Sequence, residues 1–270
     1  MLNYDHLKQL GIDPAFFMEV TRNVNATARM DNPHVEEDDK VYQEARGEFI
    51  NELRESFDGD NALRCEKCGL VIPSGYHIHH KDGDHTNNDK SNFSLRDPFC
   101  HLSSHLGFVG VNNMASVVYV PQIPQAVLNQ IQIISYAFDH VVSTVNQSSK
   151  KFTLLKRQKA DLDTLMSAVK ATKGVVYRNF QTNDPLHFAN IFAMMTEDEY
   201  LARAFKTDSA NQLAEIGTFA GLRLLFEPSK FETEIKSFAR YILIQDNETN
   251  QHNPAAWFDA AKLLKQKRHG

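Results

Sequence analysis

The residues of this chain that could do chemistry are concentrated between residues 65 and 105. All three cysteines of the 270-residue sequence lie in this stretch, together with six of its twelve histidines. They are Cys65, Cys68, Cys100, His77, His79, His80, His85, His101 and His105. Thiolate sulfur and imidazole nitrogen are ligands that proteins use for zinc and related ions. The stretch therefore predicts a metal site.

The cysteines predict a structural zinc site. Cys65 and Cys68 are two residues apart, a spacing that lets one turn of backbone present two thiolates to one ion, and Cys100 would supply a third. Asp97 precedes Cys100 at the same spacing, so its carboxylate could complete a tetrahedral set. Other candidates for the fourth ligand are His85, His101 and His105. Three free buried thiols are the alternative without metal.

A second pattern consists of a histidine pair, an asparagine and two histidines four residues apart. Its members are His79, His80, Asn92, His101 and His105. Residues four apart on one helix face the same way, so His101 and His105 could share an ion. The pattern resembles the HNH (ββα-metal) nuclease motif. That resemblance remains a hypothesis until the structural context is known.

The HNH resemblance implies a role for each of its residues. His79, His101 and His105 would bind a second divalent ion, such as Mg²⁺, Mn²⁺ or Ni²⁺. His80 would be the general base, with Asn92 fixing its orientation. Such an ion polarises the scissile phosphate while a neutral imidazole takes a proton from the attacking water. A metal-free polar cluster on an inherited fold is the alternative.

Segments further along the chain resemble a more specific family than the HNH motif does. The segments that carry it are CEKCG at 65–69, DGD at 82–84, TNN at 86–88, SN at 91–92, VYVPQIPQA at 118–126, LN at 128–129 and PSKF at 228–231. They are similar to the DotN/IcmJ proteins of Dot/Icm-type (class IVB) secretion and conjugation systems. The resemblance implies an HNH-derived zinc fold that serves as a cytoplasmic adaptor docked on the coupling ATPase.

Two departures from that family affect the functional expectation. The family's zinc site is expected to have a fourth cysteine where this chain has Asp97. The chain also keeps the HNH histidines, which an adaptor does not need. The choice between an adaptor and a metal-dependent HNH endonuclease acting on DNA therefore stays open, with the adaptor favoured.

The amino-acid composition indicates which partners and which cellular compartment to expect. A formal charge of −5 and a pI near 6.2 argue against a protein that grips nucleic acid over its whole surface, since phosphate contacts require cations. This counts against a third hypothesis, a zinc-stabilised DNA-binding regulator. The sequence has no apolar run of membrane-spanning length and no signal-peptide pattern. With no cysteines left over for a disulfide framework, we expect a cytoplasmic protein, recruited to the inner membrane through a partner.

The flanking sequence predicts the elements that position these residues. Residues 1–60 are expected to form N-terminal helices, interrupted by an acidic run at 36–39. The second of these helices would pack through Val41, Ala45, Phe49 and Leu53, which recur every four residues. Residues 61–148 are assigned to an HNH-like zinc domain. It would include a strand at 116–120 and a long helix from Pro124 to about Val145.

Residues 149–270 are predicted to form an all-helical C-terminal domain. The expected helices span 154–171, 185–195, 196–204, 210–225, 229–244 and 254–267. Asp184-Pro185 and Asn253-Pro254 pair a capping side chain with a proline at the first helical position, and Thr196 to Glu199 has capping-box spacing.

The sequence thus predicts an α+β protein with an HNH-like ββα zinc core, flanking helices and an all-helical C-terminal region. For an adaptor, the expected partners are the coupling ATPase and other secretion or conjugation components, with nucleic acid expected only for a nuclease. Gln122, Gln125 and Asn129 are expected to be exposed polar residues suited to probing the partner surface.

Overall fold

The structure, a computed structural model, is a mixed α+β fold. It describes residues 40–56, 63–145, 147–148, 150–202, 205–207, 213–216 and 219–248. The predicted acidic break at 36–39 and the predicted C-terminal helix at 254–267 lie outside these residues. Among the described helices, none combines the length and apolar content needed to cross a bilayer.

Helix α1 (Lys40–Ser56) covers the metal-ligand region from one side. Its packed face is centred on the buried Tyr42 and Ile50, with Phe49 and Leu53 partly buried beside them. The expectation that Val41 belongs to this face is wrong, because its side chain is 63% exposed. The packed face therefore keeps Ala45, Phe49 and Leu53 of the predicted stripe, with Tyr42 and Ile50 at its centre and Val41 outside it.

A hairpin and a short helix follow. Strands β1 (His77–His80) and β2 (Phe93–Arg96) pair antiparallel, with His77 opposite Arg96 and His80 opposite Phe93. A 3₁₀ turn (Lys90–Asn92) leads into β2, and helix α2 (Pro98–Leu102) follows it. Asp97 caps α2, because its side chain accepts a hydrogen bond from the Cys100 amide.

The chain bends after α2 and begins another short helix, α3 (Leu106–Val111). One expectation is wrong at this point. His101 and His105 do not share one helix, because His105 lies between α2 and α3. Residues 106–110 form most of α3, which packs closely against helix α7 (Pro185–Met194).

The rest of the chain builds a larger layer around a long helix. Strand β3 (Ala115–Tyr119) is followed by α4 (Gln125–Thr144), close to the predicted strand and helix. Next come α5 (Lys150–Ala171), α6 (Lys173–Phe180), α7 and α8 (Glu197–Ala202). Then follow β4 (Phe205–Thr207), β5 (Leu213–Ile216), β6 (Leu222–Phe226), a 3₁₀ turn (Pro228–Lys230) and α9 (Glu232–Glu248).

The expectation of an all-helical C-terminal region is wrong. Residues predicted as a helix at 210–225 contain β5 and most of β6 instead. Strand β6 pairs antiparallel with β3, more than a hundred residues earlier, with Ala115 opposite Phe226 and Tyr119 opposite Leu222. All five residues of β6 are buried, so long-range packing determines their conformation.

Two apolar cores result. The smaller lies between α1, the hairpin and the cysteines, and includes Tyr42, Phe93 and Cys65. The larger surrounds α4 and the β3–β6 sheet, and it combines residues from both sides of the domain boundary predicted near residue 148. Cys68 is half-buried and packs against both cores. The metal-ligand region therefore lies where the two cores meet.

Candidate metal centres

The cysteine turn is built by backbone hydrogen bonds. The amide of Cys65 donates to Leu70 O (2.8 Å), and the amide of Gly69 donates to Cys65 O (2.7 Å). Gly69 has a φ of 77°, a left-handed conformation that glycine adopts without strain. This tight turn places Cys65 and Cys68 side by side. Cys100 approaches from the first turn of α2.

The fourth member of this group is Asp97. The three sulfur atoms and one Asp97 carboxylate oxygen all lie within 4.8 Å of one another. Cys68 Sγ donates a hydrogen bond to Asp97 Oδ2 at 3.2 Å. Asp97 Oδ1 accepts from the Cys100 amide at 2.9 Å. Of the candidates for a fourth ligand, the structure thus brings Asp97 to the cysteines, and His101 and His105 belong to a second group.

The electrostatics of the cysteine group suit a cation. Burial, reinforced by the charge of Cys65, raises the pKa of Asp97 to about 8. Burial also raises the pKa of the Cys100 thiol well above its usual value. Four acidic groups held together in a buried place are expensive to ionise unless a cation compensates them. Three thiolates and one carboxylate are a donor set that fits a divalent ion such as zinc.

The second group consists of three buried histidines. His79 is the third residue of β1, His101 lies in α2, and His105 follows α2 directly. Their ring nitrogens lie within 4.8 Å of one another, and His101 Nε2 is 3.2 Å from His105 Nε2. Although the two residues do not share a helix, the bend after Leu102 still brings their rings together.

Two of these histidines, His79 and His101, are held in the form that binds metal. Burial lowers the pKa of His79 well below its usual value, and the nearby Arg96 adds to the effect. Burial likewise lowers the pKa of His101, assisted by His105. Neutral imidazole is the species that donates a lone pair to a metal. His79 and His101 could therefore bind a divalent ion without first losing a proton near neutral pH.

His77 orients one of these rings, a role that the sequence analysis missed. Its Nδ1 lies 2.8 Å from His101 Nδ1, so one of the two nitrogens donates to the other. The contact leaves His101 Nε2 facing the group. The signal was present in the sequence, because His77 and His79 are two apart in a strand and so face the same side of the sheet.

His80 occupies the opposite face of β1. It is only 1% exposed. Its ring centroid lies 5.8 Å from that of Tyr42 on α1 and 5.0 Å from that of Phe93. Its Nε2 lies 3.1 Å from Asn88 Oδ1, within hydrogen-bonding distance. The amide that contacts His80 is therefore that of Asn88, which spacing alone did not single out.

Asn92 organises the loop between β1 and β2. Its side-chain Oδ1 accepts from the Asp82 amide (3.0 Å), and its Nδ2 donates to Asp82 Oδ1 (2.9 Å) and to Asn87 O (3.0 Å). It thus fixes the loop that carries Asn88.

Comparison of the sequence with models of known protein families and with curated proteins found no match.

Proposed function

We propose that this protein is a zinc-stabilised cytoplasmic adaptor of a type IV (class IVB) secretion or conjugation coupling complex. In this role it binds the coupling ATPase and is recruited through it to the inner membrane. The observation that carries the preference for an adaptor is the burial of His80. A general base must reach the water that attacks the phosphate. A side chain that is 1% exposed beneath Tyr42 of α1 is poorly placed to do so.

Zinc bound by Cys65, Cys68, Asp97 and Cys100 would hold the fold in this proposal. The hairpin has only two four-residue strands, so it buries little apolar area of its own. Metal binding adds free energy to folding in such small units. The resemblance of the segments at 65–92 and 118–129 to DotN/IcmJ proteins supports the choice of partner.

The alternative is a metal-dependent HNH endonuclease. It is favoured by one observation, the convergence of His79, His101 and His105 beside a hairpin whose loop is fixed by Asn92. In that function these histidines would bind the second divalent ion, and His80 would act as base once α1 uncovered it.

The adaptor proposal is tested by recovering the tagged protein from its native host. We expect a membrane-anchored ATPase to co-purify, and its recovery to survive nuclease treatment and the His80→Ala substitution. Recovery of nucleic acid with no such ATPase would instead support the endonuclease.

The structure corrects the choice of residues for probing the partner surface. Gln125 and Asn129 are fully buried, so the expectation that they are exposed is wrong, and only Gln122 of the three lies on the surface. We expect Gln122→Ala to fold normally, since exposed substitutions usually change stability by less than about 0.5 kcal/mol. If this segment meets the ATPase, the variant will recover less of it than the control Gln147→Ala, which changes an exposed glutamine beyond the end of α4.

The endonuclease is tested with plasmid DNA and Mg²⁺, Mn²⁺ or Ni²⁺. We expect no nicking beyond that of a His79→Ala/His80→Ala control, because His80 is covered and the chain is acidic. Nicking by the wild type that disappears in His80→Ala, while zinc content stays the same, would overturn the adaptor proposal.

A further inference from the structure

A buried amide of α4 touches the cysteine group. Asn129 is 0% exposed, and its side-chain Nδ2 donates to Cys100 Sγ at 3.4 Å. The next residue, Gln130, donates through its side chain to the carbonyl oxygen of Cys68. Helix α4 therefore contacts both the sulfur of one cysteine and the backbone of another. None of the patterns in the sequence indicated this connection.

The orientation of the Asn129 amide is fixed by its neighbours. The backbone amide of Leu224 in β6 can only donate, and it donates to Gln125 Oε1 at 2.7 Å. Gln125 must therefore present its Nε2 to Asn129 Oδ1, at 2.8 Å. Asn129 is left with its N–H group directed at Cys100. The sulfur consequently acts as an acceptor.

A donor aimed at a buried sulfur suits a thiolate better than a thiol. Hydrogen bonds to an ionised acceptor are stronger than those to a neutral one. Thiolate is also the form of cysteine that binds metal. In the chain of hydrogen bonds from Leu224 through Gln125 to Asn129, each group donates to the next or is held so that Asn129 donates to Cys100. A metal-bound thiolate at Cys100 requires this direction of donation.

We propose that Asn129 is a positioning residue for the cysteine metal centre. It stabilises Cys100 as a metal-bound thiolate and, through Gln125, links occupation of that centre to strand β6. The inference rests on the zinc site of the proposed function and is independent of the ATPase partner. Residues that orient metal ligands in this way typically change metal affinity 10- to 100-fold when they are replaced.

The test compares two substitutions on the same helix. Asn129→Leu removes the donor to Cys100 with little change in volume. Gln132→Leu is the matched control. Gln132 is also 0% exposed and also bonds to β6, donating to Leu224 O (3.2 Å) and accepting from the Phe226 amide (2.6 Å). These two hydrogen bonds do not involve the cysteine group, so a purely structural effect should appear in both variants.

Each purified protein is loaded with Co²⁺, whose thiolate charge-transfer band reports on the sulfur ligands, and is then titrated with a chelator. For Asn129→Leu we expect metal binding 10- to 100-fold weaker than in the wild type. We also expect the band to move to longer wavelength, because the sulfur lone pairs lose an N–H donor. Gln132→Leu should keep the wild-type band and affinity, even though it unfolds at a lower temperature.

The inference is overturned if Asn129→Leu has the wild-type band and affinity, or if Gln132→Leu weakens metal binding as much. Wild-type protein that binds no metal in folded form would instead refute the zinc site itself. If Asn129→Leu fails to fold, the link between the metal centre and β6 is tested instead by amide hydrogen exchange of the wild type with and without chelator. At a temperature where the chelated protein stays folded and exchange occurs by local opening, chelation should accelerate exchange of the Leu224 amide more than that of the Val117 amide, which bonds to Asn183 O. Equal acceleration refutes the link.

Discussion

Asp97 serves two structural purposes with one carboxylate. Oδ1 caps α2 through the Cys100 amide, and Oδ2 accepts from Cys68 Sγ in the cysteine group. The start of α2 and the metal centre therefore depend on the same side chain. A fourth thiol at this position would be a softer ligand but a weaker cap, since carboxylate is among the preferred capping groups.

Substitutions at Asp97 separate the two purposes. Asp97→Asn keeps an oxygen for the cap, so we expect a folded protein that loses zinc faster to a chelator. Asp97→Ala should lose zinc as readily and also lose about 1 kcal/mol of stability, the usual value of an N-cap. Asp97→Cys should retain zinc as well as the wild type or better. Chelator titration measures zinc retention, and denaturant unfolding measures stability. If Asp97→Asn and Asp97→Ala retain zinc as well as the wild type does, Asp97 is not a ligand.

Cys65→Ser tests the importance of the centre as a whole. Cys65 is buried in the smaller core. Replacing it with serine removes one thiolate ligand from the metal centre, which leaves the remaining acidic groups without their cation. We expect the variant to be insoluble or unfolded, and the wild type to purify with about one equivalent of zinc. Soluble, folded wild-type protein without zinc would contradict this prediction.

Spacing in the sequence was enough to select the residues that form both groups, because a short turn or strand fixes the positions of its own side chains. It was not enough to assign their surroundings. The contacts of His77 with His101, Asn88 with His80 and Asn129 with Cys100 depend on how separate elements pack. Asn129 comes from a helix 29 residues after its cysteine, and no local pattern contains that information.

At the scale of elements, the helices with local signals were predicted well. Asp184 caps α7 ahead of Pro185, and Thr196 and Glu199 form the expected capping box at α8. Strand β6 had no such signal. Its sequence LRLLF lacks polar alternation and is rich in leucine, a good helix former. Pairing with β3 makes it a strand, together with the hydrogen bonds that its Leu224 and Phe226 amides donate to the side chains of Gln125 and Gln132.

The contact between α3 and α7 depends on a glycine. A Cβ atom added to Gly110 would collide with the backbone nitrogen of Leu186, and backbone cannot move aside as the end of a side chain can. We expect Gly110→Ala to destabilise the protein by about 1–3 kcal/mol, the usual cost of overpacking. Denaturant unfolding measures this change.

Gly47 in α1 is the matched control for Gly110. A Cβ atom added there meets no atom within 4 Å in the part of the chain that the structure describes, apart from its own helix backbone. Gly47→Ala should therefore stabilise the protein by about 0.5–1 kcal/mol, because alanine is the better helix former. Equal effects of the two substitutions would show that helix propensity, and not the close contact, decides the outcome at Gly110.

At the scale of the whole molecule, the cysteine group connects two cores. Cys65 and Cys100 belong to the smaller core, Cys68 packs against both, and Asn129 reaches the group from α4 in the larger one. Removing the metal should therefore weaken more than the hairpin. We therefore expect the stabilities of the two cores to be coupled through this group of side chains.

Thermal unfolding with and without chelator tests this coupling. A ligand that binds only the folded state at a hundred times its Kd adds about 2.7 kcal/mol of stability. We expect chelation to lower the unfolding temperature of the entire described fold in one transition, and added zinc to restore it. Loss of the hairpin alone, with the β3–β6 sheet unfolding at its original temperature, would show that the cores are independent.

The pairing of β3 with β6 sets an order of events during synthesis on the ribosome. The cysteine group is complete once Cys100 has emerged, but β3 must wait for about a hundred further residues before its partner exists. At about 5–20 residues per second, that delay lasts roughly 5–20 s. During this time the apolar Val117 and Val118, both 0% exposed in the finished protein, have no partner strand. A nascent chain is thus most open to chaperone capture, or to pairing with another chain, after its metal centre can already form.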